Sequence, residues 1–118
     1  MTDTATTADE RAEAFAVANV INRQIGVWAL ASVGAHQLSA THRAPRENHA
    51  AVPGMTFLAR LHFRGQTRVR ITRVYVLLTV WDLYDVVCVV NGEERYRIDD
   101  VDCEALAGVI TRLDSEGI

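Results

Sequence analysis

Asn91-Gly92 constrains this chain more than any other pair of residues. The pair separates an apolar run, Tyr84 to Val90, from a second short run, Glu94 to Ile98. A two-residue loop of this composition selects a turn with positive φ at both central positions, whose twist matches that of two antiparallel strands. Antiparallel sheet is therefore built at this point, and the residues upstream extend it. In Thr56 to Phe63, the residues Phe57, Ala59, Leu61 and Phe63 alternate with Leu58, Arg60, His62 and Arg64, and Arg68 to Val80 is rich in β-branched side chains. A further strand is expected at Val27 to Val33, with a polar continuation through His36 to Thr41. The long stretch Arg43 to Gly54, which holds both prolines, reads as a loop.

Helices are expected at the two ends. Thr7 and Glu10 form a T-x-x-E capping box. Behind it Ala14, Val17, Ala18, Ile21 and Ile25 fall on one helical stripe, and Gly26 is the natural stop. Near the other end Asp99 or Asp100 is placed to cap a helix from Val101 to about Leu113, with Asp102 and Glu104 at its positive pole. The expected fold is α+β: an antiparallel sheet of about five strands between an N-terminal and a C-terminal helix. Residues 1–7 are expected as a flexible tail and 8–118 as a single domain, since 118 residues leave little room for a second core.

Strands three and four are apolar on both faces. Pairing across Asn91-Gly92 is expected to set Val87 against Tyr96 and Val89 against Glu94, leaving Val86, Cys88 and Val90 on the other side. A sheet about 24 Å across is wider than two short helices cover, at ~4.8 Å per strand and about 10 Å per helix. Symmetric self-association buries such a surplus with one patch used twice. A homodimer is expected, with Tyr75, Leu77, Val86, Cys88 and Val90 as its interface, and an unidentified protein as a further partner.

All twelve basic residues are arginines, a bias that a GC-rich genome explains more simply than selection for binding. Their distribution is uneven. Residues 43–73 hold seven arginines and one acid, for +6, whereas residues 82–118 hold ten acids and three arginines, for −7. Arg60, His62 and Arg64 on strand two, set beside Thr72, Arg70 and Arg68 on strand three, would form a cationic ladder. That ladder carries the alternative reading, nucleic-acid association through Arg60, His62, Arg64, Arg68 and Arg70. Against it stand the net charge of −3 and the lack of an aromatic stacking platform.

Nothing in the chain reads as a catalytic centre. His36, His42, His49 and His62 match no metal-ligand spacing, so no metal and no cofactor is expected. Asp82 and Asp85 flank a tight turn and are read as turn chemistry rather than an acid–base pair. Ser32, Ser39 and Ser115 sit in no nucleophile elbow, and no glycine-rich phosphate loop is present. Cys88 and Cys103 lack CxxC spacing and are expected as free thiols. With neither a secretory signal nor a membrane-length apolar run, the expected location is the cytosol of a bacterial host, with no membrane partner.

Three segments carry a resemblance: Asn19-x-Ile21-x-x-Gln24-Ile25-Gly26, Gly34-Ala35, and Asp82-Leu83-Tyr84-Asp85-Val86. Together, and in this order, they resemble a family of short proteins encoded by tailed bacteriophages and related mobile elements, over roughly Asn19 to the C-terminus. The resemblance implies a phage or prophage origin and a non-enzymatic accessory role. It transfers no catalytic residue. The chain departs from the family in the loop Arg43 to Gly54 and in lacking a Thr-Gly-aromatic ending.

Overall fold

The computed structural model describes residues 8–62 and 67–114; the expected tail, the Thr7 capping residue, Phe63 and Arg64 lie outside them. The order of elements is α1 (Ala8–Ser32), β1 (His36–Arg43), β2 (Val52–His62), β3 (Val69–Leu78), β4 (Tyr84–Val90), β5 (Glu93–Val101) and α2 (Leu106–Arg112). The strands form one sheet in the order β1-β2-β3-β4-β5, every neighbouring pair antiparallel. This is the expected α+β architecture.

Helix α1 buries Ala14, Ala18, Ile21 and Ile25, the stripe read from the sequence. Gly26 interrupts it with φ 84° and ψ 158°, a conformation that costs a residue without Cβ little. The chain then resumes as helix, so Val27 to Val33 is not a strand. Its burial shows why: Ile25, Ala29 and Val33 are buried at every fourth position, whereas Val27, Trp28, Ala31 and Ser32 are exposed, a helical and not a pleated period. Gly34 (φ 62°) ends this second piece. The Gly34 N–H donates to the Ala31 carbonyl and the Ala35 N–H to that of Leu30, each at 3.0 Å, the paired bonds that close a helix on a left-handed residue. β1 is thus the segment expected only as a polar continuation.

β2 starts at Val52, inside the expected loop. Pro53 pairs with His42 of the edge strand alone, where its missing N–H does little harm. Gly54 lies against β3 so closely that a Cβ there would stand 2.2 Å from the Val76 carbonyl oxygen. Asn91 (φ 52°) and Gly92 (φ 81°) make the expected hairpin turn between β4 and β5. Val89 faces Glu94 as expected, but Tyr96 faces Cys88 and not Val87. A bulge inserts one residue between these pairs, and sequence period alone does not reveal where a bulge falls.

The C-terminal helix is shorter than expected. β5 continues to Val101, opposite Tyr84, and neither Asp99 nor Asp100 is a cap. Ala105 stands at the N-terminus of α2 without a side-chain cap, and Asp102 closes the turn before it, its carboxylate accepting the Ala105 N–H at 2.8 Å.

Both helices lie on one face of the sheet. Ile21, Ile25, Leu30, Leu106 and Ile110 share a cluster with Phe57, Leu61, Val74, Val76, Val86 and Cys88. Among the described residues the outer face has a small cluster of Val52, Leu77 and Val87, edged by Tyr75 and Val89. No helix residue belongs to it. Part of this face is roofed by the segment 44–51, whose Pro45 carbonyl accepts a hydrogen bond from Arg97.

Candidate binding surfaces

Register decides the fate of the arginine ladder. Arg60 pairs with Ile71, Leu61 with Arg70 and His62 with Val69, one residue out of step with the expected pairing. A one-residue slip moves a whole set of side chains to the opposite face. Arg60 is therefore exposed on the outer face, while Arg70 lies half-buried across from Leu61 on the helix-covered face. His62 is engaged at the strand end, where its backbone N–H donates to the Asp114 carboxylate and its Nδ1 lies 3.1 Å from the same oxygen. Arg68 is exposed, and Arg64 lies outside the described residues. The five side chains do not form one cationic surface.

The expected interface divides in the same way. Val86 and Cys88 have no exposed surface and sit beneath the helices. Leu77 is also fully buried, on the outer face in the cluster with Val52 and Val87, and Val90 is 7% exposed. Tyr75 is half-buried, with the Arg43 guanidinium 4.2 Å from its ring centre. What remains open is the other half of the outer face, where Leu58, Arg73 and Val89 form one row and Arg60 and Ile71 the next. Val69 and Ile71 are 43% and 50% exposed there.

A polar hub, not anticipated from the sequence, organises the opposite half. The Arg97 side chain is 14% exposed; its Nε donates to Asp99 Oδ1 at 2.8 Å and its Nη1 to Glu94 Oε1 at 2.9 Å. Nη2 donates to the Pro45 carbonyl and stands 3.6 Å from Asp85 Oδ2. Asp85 also accepts the Asp100 N–H at 3.2 Å, and Arg46 pairs with Asp99. Asp85 is thus a buried, paired carboxylate in β4, whereas Asp82 takes the turn position at φ 61°. Beside the hub opens a cleft of about 370 Å³, lined by Arg46, His49, Val80, Trp81, Asp99 and Asp100 among others. Val80 and Trp81 on its rim are among the most exposed apolar side chains described. The run of aspartates was legible; that Asp99 is held between Arg97 of its own strand and Arg46 of a distant segment was not.

Two segments of the phage-family resemblance meet in space. The Tyr84 hydroxyl donates to Gln24 Oε1 at 2.6 Å, joining α1 to the start of β4. Burial, with Cys103 and Asp82 nearby, raises the Tyr84 pKa above its usual value. Both cysteines are free, as expected. Burial pushes the Cys88 thiol up to about 12, while Cys103 is exposed. A thiol reagent at pH 8 should therefore titrate one cysteine in the native protein and a second only after denaturation, because the thiolate is the reactive form. Rapid native modification of both would contradict the placement of Cys88.

Among the described residues no three histidine, cysteine or acidic side chains stand close enough to share a metal ion. No described helix is long and apolar enough to cross a membrane. No family model, curated protein or solved structure matches this chain.

Proposed function

We propose that this chain is a small non-enzymatic accessory protein of phage or mobile-element origin that acts by binding protein, as a homo-oligomer. The observation that carries the reading is the uneven cover of the sheet: two helices on one face, and on the other an open half bearing Val69 and Ile71. Val69 and Ile71 follow each other on the same face of β3, and apolar side chains exposed side by side mark association surfaces. The origin rests on the resemblance, and the Gln24–Tyr84 bond supplies a physical reason for two of its segments to occur together. Nucleic-acid association loses its geometric support with the separation of Arg60 from Arg70.

Sedimentation at rising protein concentration, with an electrophoretic shift assay at two salt concentrations, tests this reading. Self-association that persists as salt rises is the expected result. A chain that stays monomeric and binds DNA with an affinity falling steeply with salt would overturn it, since phosphate contacts release counterions.

A further inference from the structure

We infer, resting on the protein-binding reading above, that the cleft beside the Arg97 hub receives an arginine side chain of a partner protein.

Both walls of the cleft are fixed. One is the 44–51 segment, held by the contacts of Arg97 with Pro45 and of Arg46 with Asp99. The other is the turn between β3 and β4, where Thr79 donates from its N–H and its Oγ1 to the Leu83 carbonyl, each at 2.9 Å. The volume of about 370 Å³ lies at the lower end of the range for ligand sites, about 300–1,000 Å³, and suits one side chain.

The lining selects the charge of the occupant. Asp85, Asp99 and Asp100 bring three carboxylates to it, against the Arg46 guanidinium, with Arg97 behind. Asp85 and Asp99 are ion-paired. Asp100 donates its N–H to Asp85, but among the described residues its exposed carboxylate has no hydrogen-bond or ion-pair partner. The Trp81 indole, 78% exposed, lines the same cleft. A cation gains from both groups, from the indole through its ring quadrupole and from the carboxylate through its charge. An anion would meet three carboxylates and an arginine already engaged by Asp99. A metal ion lacks ligands, since among the described residues no three histidine, cysteine or acidic side chains are close enough to share one. Between the organic cations, a guanidinium is flat, stacks on an indole, forks onto a carboxylate and is more weakly hydrated than an ammonium. Arginine is therefore favoured over lysine.

Nuclear magnetic resonance shift mapping with capped Gly-X-Gly peptides tests this, X being arginine, citrulline, lysine or glutamate. With the arginine peptide, backbone amides of 46–50, 79–82 and 99–100 should move saturably, with a Kd on the order of 1 mM. Citrulline keeps the shape and loses the charge, and should bind about fivefold or more weakly; lysine should also bind less well. Trp81→Leu and Asp100→Asn should each weaken the arginine peptide about threefold, with amides outside the cleft unmoved. Asparagine tolerates the left-handed backbone of Asp100 (φ 59°), so that variant keeps its fold. Equal binding of the citrulline or lysine peptide, tighter binding of the glutamate peptide, unchanged binding by either variant, shifts scattered over the surface, or no shift up to about 20 mM overturns the site. A chain that self-associates in sedimentation but takes no arginine loses this cleft alone. A monomeric chain that binds DNA loses the reading above and, with it, a protein as the source of the arginine.

Discussion

Val86→Asp is expected to unfold the protein. Val86 has no exposed surface and sits between Val76 and Ile98 on the helix-covered face of the sheet. An aspartate there must either hold a charge without a partner or take up a proton, and burial of a charge without a partner costs several kcal/mol. With total stabilities of about 5–15 kcal/mol for domains of this kind, a loss of at least ~4 kcal/mol leaves little or no native protein at 37 °C. Far-ultraviolet circular dichroism with a thermal scan measures this directly. Ile71→Asp, which places the same charge in the neighbouring strand on the outer face where Ile71 is 50% exposed, is expected to stay folded and is the sharper check. A cooperatively folded Val86→Asp would mean that the two faces have been assigned the wrong way round.

Arg97→Leu is expected to destabilise the fold by about 3 kcal/mol. Leucine replaces the stem of the side chain but leaves Asp85, whose side chain is 7% exposed, with the Asp100 N–H as its hydrogen-bond partner among the described residues. Removing one member of a buried ion pair costs more than the pair contributes, since the survivor keeps its desolvation penalty. Urea denaturation of the single variant and of Arg97→Leu/Asp85→Leu separates the two effects. The double variant should recover much of the loss, because an apolar pair of similar size is often no worse than the ion pair it replaces. The single variant should also be cut faster by proteases within 44–51, which Arg97 ties down through Pro45. Equal stability of wild type and single variant would show that the hub is an ornament of the surface.

Much of the architecture follows from local rules that act over a few residues. Asn91-Gly92 accepts positive φ at both positions and so makes a hairpin wherever it is flanked by strands. The stripe of Ala14, Ala18, Ile21 and Ile25 can be buried only as a helix, and Gly26 breaks it where glycine alone is unstrained. Sequence reasoning fails where two periods compete. Val27 to Val33 is apolar enough for either a strand or a helix, and its helical form is settled by the burial of Ala29, Leu30 and Val33 in the core beside Ile25.

The surfaces were less legible, because a surface depends on register and register is a property of two strands at once. A slip of one residue between β2 and β3 sets Arg60 and Arg70 on opposite faces, and nothing in either strand alone announces it. The bulge between β4 and β5 has the same origin, and it brings Glu94 and Arg97 within 2.9 Å of each other. The neutralisation of Asp85 and Asp99 depends on Arg46, 53 residues before Asp99, and on the placement of Pro45 against Arg97. The kinds of element and their order are carried by each segment's own hydrophobic period and turn chemistry. Which face each charge occupies, and which partner it finds, was left to the packing of segments far apart in the chain, where a shift of a single residue exchanges core for surface.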